Sequence, residues 1–159
     1  MSIEYISHGT QCLEKVKDHI LTLQLRRMDR DEVQVRDSPW TQTEIYRGCT
    51  IWNVGKKYAP GTNEREDVGY GCGVTFAAMD SGDPLANIDQ LPYWEDVTRR
   101  HFNFIKRFDI NFLKGCDNCV VTVADANFKP PRGHAQAEQF KFSSLVVRCW
   151  IREESGRGY

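Results

Sequence analysis

Between positions 68 and 76 the chain alternates strictly. Val68, Tyr70, Cys72, Val74 and Phe76 fall on one parity, and Gly69, Gly71 and Gly73 fall on the other. Successive side chains of a strand point to opposite faces, so this segment reads as a β-strand with one bulky face and one nearly bare face. A face of glycines marks tight packing or the close approach of another backbone. The strand extends to about 79, and Asp80-Ser-Gly-Asp-Pro84 breaks it.

Three further segments read as strands. Residues 43 to 54 carry Ile45, Ile51 and Trp52, with Gly48 marking a bulge or turn. Residues 119 to 124 read Cys-Val-Val-Thr-Val-Ala. Residues 139 to 152 contain Leu145-Val146-Val147, apolar on both parities, which is the pattern of a central strand buried on both faces. Val33 and Val35 alternate with polar residues, as a short edge strand would. Two other stretches have helical period. In 10 to 28, Leu13, Val16, Ile20 and Leu23 form a stripe, with Thr10 as the N-cap and Arg26 and Arg27 at the negative end of the helix dipole. In 91 to 108 the stripe is Trp94, Val97, His101, Phe104, Ile105 and Phe108, and Pro92 is tolerated in the first turn.

Two connections stand out. Residues 55 to 67 read as a long polar hairpin loop centred on Pro60-Gly61, and 127 to 133 as an exposed loop stiffened by Pro130-Pro131. The tail, 153 to 159, reads as frayed or partner-bound. The expected fold is α+β: one domain over 1–159, with two helices on one face of a mainly antiparallel sheet of about four to five strands. A length of 159 residues suits one domain with an ample core.

Charge is balanced, 21 Lys+Arg against 22 Asp+Glu, which excludes recognition of nucleic acid by bulk charge and excludes a disordered chain. The opening residues lack the basic and apolar regions of a signal peptide, and no apolar run reaches the roughly 18 residues of a membrane helix. The expectation is therefore a soluble protein made in a cytoplasm.

No decisive chemical motif is present. The six cysteines, at 12, 49, 72, 116, 119 and 149, are expected to be free buried thiols. Cys116-Asp-Asn-Cys119 is a CxxC, but no second pair completes a zinc set, and the pair precedes a strand rather than opening a helix as redox motifs do. Histidines 8, 19, 101 and 134 have no ligand spacing, and His101 reads as a core histidine. A Cys72–His134 dyad would need a meeting in space. The carboxylates at Asp29/Asp31/Glu32, Glu64/Glu66/Asp67 and Asp80/Asp83 read as solvated turn charges. The alternating glycines lack phosphate-loop spacing. We therefore expect no catalytic residue, no cofactor and no metal. The candidate contact residues are basic and aromatic: Lys56, Lys57, Tyr58 and Arg65 in the first loop, and Lys129 and Arg132 in the second. Such residues suit phosphate and base contacts or the rims of protein interfaces.

The element order resembles that of the tail terminator and neck-type (head–tail joining) proteins of long-tailed bacteriophages. The likeness runs from the helix near Leu13, through the charged hairpin at 55 to 67 and the helix from Pro92 to Phe108, to a last strand ending Val146-Val147-Arg148-Cys149-Trp150. It implies a structural virion protein, assembled in the host cytoplasm. Such a protein forms a homo-oligomeric ring, commonly a hexamer, that ends tail-tube growth and docks tail-tube or connector proteins. Lys56, Lys57, Arg65 and Arg132 would then make lumen or interface contacts, including non-specific DNA contact, with no membrane involved. Two other classes use the same sequence. One is a small cytoplasmic enzyme, and the other is a thiol- or zinc-dependent regulatory module built on Cys116 and Cys119.

Overall fold

The structure is a computed structural model that describes residues 7–39, 47–60, 65–79, 90–105, 107–108, 119–126 and 140–154. Its first helix, α1, runs His8–Thr22 and is capped by Ser7. The Ser7 hydroxyl accepts the backbone N–H of Thr10 at 3.2 Å, satisfying one donor that a helix start leaves open. The expected span of 10 to 28 is thus corrected at both ends. Gln24 and Arg27 take left-handed φ of 48° and 62°, which breaks the helical ladder. The turn sends Leu25 into the core, where it is buried. Arg26 therefore does not cap the dipole. Its guanidinium donates to Gln90 Oε1 at 3.0 Å and stacks on the Tyr93 ring at 4.4 Å.

Helix α2 runs Leu91–Ile105 and buries Leu91, Trp94, Thr98 and Phe102. This stripe leaves Phe104 off the inner face, 85% exposed. The expected end at 108 is also corrected, because Arg107 and Phe108 already pair as a strand. The Trp94 indole N–H donates to the Arg26 carbonyl at 2.8 Å, which ties the turn after α1 to α2.

The strands are β1 (Val33–Val35), β2 (Arg47–Pro60), β3 (Arg65–Met79), β4 (Arg107–Phe108), β5 (Cys119–Asp125) and β6 (Phe140–Glu154). They form one six-stranded sheet in the order β1-β2-β3-β6-β5-β4. Only the β1–β2 pairing is parallel. The α+β class with two helices on one face of a mainly antiparallel sheet holds, with the two-residue β4 as the added strand. A three-residue 3-10 turn, Arg30–Glu32, leads into β1. Glu32 there pairs with Arg47 of β2 at 2.9 Å.

One parity of each strand makes the core. Cys49 and Ile51, the even residues from Val68 to Ala78, Val121, and Val147, Cys149 and Ile151 join Cys12, Val16 and Ile20 of α1 and Trp94 and Phe102 of α2. Each large side chain so buried contributes about 1.5–3 kcal/mol before entropy. β6 is central, as expected, but its faces differ. Leu145 and Val147 are fully buried, whereas Val146 on the other parity is only partly so. The expectation of burial on both faces is corrected at Val146 alone: Ser144 and Phe140 on its parity are buried, although the two described helices pack on the other face.

The expected long loop at 55 to 67 is the main correction. β2 and β3 remain paired from Arg47↔Ala78 out to Pro60↔Glu66, leaving only 61–64 between them. Polar residues can pair here because an antiparallel ladder satisfies their backbone whatever their side chains. Gly48 pairs in register with Ala77, and the bulge lies instead between Asn53 and Gly55. The tail is shorter than expected too, since β6 pairs with β3 out to Glu154. At about 3.3 Å per residue a fifteen-residue strand spans about 50 Å, against about 22 Å for a fifteen-residue helix.

Candidate interaction face

The glycine parity of β3 lies on the face opposite the helices. Its pairing partners supply the bulk that it lacks: Gly73 faces Trp52, Gly71 faces Arg148 and Gly69 faces Trp150. A Cβ on Gly73 would stand 2.4, 2.5 and 2.8 Å from Cε2, Nε1 and Cζ2 of Trp52. On Gly69 it would stand 2.8, 2.9 and 2.9 Å from Cζ3, Cε3 and Cη2 of Trp150. Near-equal distances to three adjacent ring atoms place that point over the ring face, not off its edge. Both indoles therefore lie flat on the glycines, with their second faces turned away from the sheet. Their N–H groups are fixed as well. Trp52 Nε1 donates to Thr75 Oγ1 at 3.1 Å, and Trp150 Nε1 donates to Thr122 Oγ1 at 3.0 Å.

Arg148 lies between the two rings in the glycine row. Its Nη1 donates to the Gly69 carbonyl at 3.3 Å and to the Gly55 carbonyl at 3.4 Å. To reach Gly55 it crosses β3 at Gly71, where a Cβ would meet Nη1 at 3.0 Å and the Gly55 carbonyl oxygen at 3.0 Å. The close approach expected for these glycines is thus made mainly by side chains, with one backbone carbonyl. Gly55 holds the bulge at φ +105°, a region other residues rarely adopt, and its N–H donates to Asn53 Oδ1 at 2.8 Å. Val54, Val146, Ala124 and Val120 surround the row, and Val120 is 43% exposed. Among the described residues neither helix covers this face, and no carboxylate pairs with Arg148.

The bulge also divides the predicted contact residues. Before it, even positions such as Trp52 face away from the helices. After it, Lys56 and Tyr58 pair with Tyr70 and Val68 on the helix side, while Lys57 pairs with Gly69 on the open side. The Lys56 ammonium sits 5.6 Å from the Tyr70 ring centre, and Tyr58 is 64% exposed. Arg65 opens β3 opposite Glu154. Lys129 and Arg132 lie outside the described residues, as do Cys116 and His134. Sequence reasoning missed Trp52, Arg148 and Trp150 as a set. The bare parity of β3 was the available signal, because a glycine row inside a sheet needs bulk from its neighbours.

The remaining candidates carry little chemistry. Cys12, Cys49, Cys72 and Cys149 are buried, as expected, and burial pushes the Cys49 thiol well up, away from the reactive thiolate. Among the described residues no group of three or more His, Cys, Asp or Glu is placed to hold a metal ion. No described helix is long and apolar enough to cross a membrane. The arrangement is suited to contact: fixed aromatic faces, a cation and apolar neighbours on a face that neither described helix covers. No protein-family model and no curated protein matches the chain.

Proposed function

We propose that this chain is a self-assembling structural subunit, of the kind that forms a ring at the tail end or head–tail joint of a long-tailed bacteriophage. One observation carries the reading: the row Trp52–Arg148–Trp150, seated rigidly on glycines on a face that no described helix covers. Tryptophan and arginine dominate the energetics of protein interfaces, and fixed side chains lose little entropy on binding. A head-to-tail ring needs two different complementary surfaces on each subunit. The helical layer on the other side offers the second, with Phe104 85% exposed. In this reading the chain works through contacts with copies of itself and with tail-tube or connector proteins. Lys57, on the same face as Arg148, adds charge at the rim. The virion location rests on the element order and its resemblance alone.

The test is mass in solution by light scattering over a hundredfold range of concentration. A defined multiple of the monomer, reduced to monomer by Trp52→Ala with Arg148→Ala, is the expected result. A monomer at every concentration sinks the proposal.

A further inference from the structure

His19 and His101 are 82 positions apart in the sequence, yet their rings meet. Nδ1 of His19 and Nε2 of His101 lie 2.9 Å apart, with ring centres at 5.1 Å. Phe102 packs against both rings, at 5.9 Å from His19 and 5.2 Å from His101. The helices otherwise touch each other little, since each packs mainly on the sheet. This pair is therefore the principal direct link between α1 and α2.

A nitrogen–nitrogen contact of this length holds one proton. With both rings neutral, one nitrogen donates and the other accepts. One added proton leaves a charge-assisted hydrogen bond. A second added proton puts N–H on both nitrogens and a cation on both rings, so the bond is lost and the rings repel. We propose that His19 and His101 form a pH-sensitive clasp between the two helices, closed near neutral pH and opened when both rings are protonated.

The surroundings favour the closed form. Burial, and for His19 also His101 and Lys15, hold both imidazoles below their ordinary value of 6.5, with Asp18 opposing at His19. His101, Lys15 and Asp18, all on the two helices, act on His19 through their charge, and at His101 burial is the resolved cause. A group with a lowered folded pKa takes its proton more readily when unfolded. Stability is thus complete above 6.5 and falls as pH drops through 6.5 toward the folded values. The helical layer loosens in that window, while the sheet, which lacks a described histidine, keeps its pairing.

The test is amide hydrogen exchange on the whole chain at pH 7.5 and 5.0, corrected for intrinsic rates. In wild type, residues 15–22 and 98–105 should lose protection severalfold at pH 5.0, the direction that lowered folded pKa values require. In His101→Gln, which keeps a hydrogen-bonding group at 101 and leaves His19 alone to titrate, the loss should be clearly smaller than in wild type, because two cations no longer meet. Equal losses in the two proteins, or none in wild type, overturn the clasp. Should the variant misfold, NMR titration of the wild-type imidazoles decides. Two coupled steps below 6.5 support the clasp, and independent titration at or above 6.5 refutes it.

Discussion

Gly73 and Gly55 are both required, for different physical reasons. Gly73 has no room: the Trp52 indole occupies the space a Cβ would need. Gly55 has room, with nothing within 4 Å, but its φ of +105° excludes other residues. We expect Gly73→Ala to displace Trp52, costing about 1–3 kcal/mol as overpacking does and shifting tryptophan emission to longer wavelength. Gly55→Ala should cost about 1–3 kcal/mol through backbone strain and leave the emission nearly unchanged. Urea unfolding followed by fluorescence checks both. Arg148 is the third constrained residue. Its Nη1 donates to two carbonyls across Gly71, a position the shorter lysine side chain does not reach, so Arg148→Lys should loosen the bulge although the charge is kept.

At the scale of elements, ends are decided by single hydrogen bonds and by the partners a segment meets. Ser7 caps α1, so Ser7→Ala should cost about 1 kcal/mol in a thermal or urea melt. Thr10→Ala should cost less, since it removes only the hydroxyl that accepts from Ser7 Oγ at 2.9 Å and leaves the capping backbone N–H in place. The stripe of Val16 and Ile20 was legible from spacing alone, because helical period is a local property of the backbone. The helix end was not, because Leu25 leaves the helical path to reach a core assembled from distant strands. Likewise the outer halves of β2 and β3 look like loop in composition. They are strand because each satisfies the other's backbone.

For the whole molecule, the decisive feature is that the two layers differ. One side of the sheet is sealed by helices that carry an exposed Phe104, and the other presents Trp52, Arg148 and Trp150. A head-to-tail contact between these sides makes a specific prediction. Trp52→Ala with Arg148→Ala removes one surface, and Phe104→Ser removes the other, so each protein alone should be monomeric. Mixed in equal amounts they retain one intact junction and should give a heterodimer that grows no further. Native mass spectrometry reads this outcome directly. Failure of the mixture to pair, with wild type oligomeric, would show a contact that is not head to tail.

The amino-acid sequence by itself determined the class of the molecule. The alternation over 68 to 76 and the stripes through Ile20 and Trp94 specify strand and helix, because the period of apolar residues must match the local geometry of the backbone. Balanced charge likewise set aside recognition by bulk electrostatics. Tertiary structure alone decided which side chains share the open face. One extra residue at the Asn53–Gly55 bulge reverses the parity of Lys56, Lys57 and Tyr58. The register of β3 with β2 and β6 brings Trp52, Arg148 and Trp150 over three glycines, and the seating of both helices on one sheet brings His19 to His101. Register and seating are agreements between distant segments, fixed by the packing of the assembled core, and no local pattern carries them.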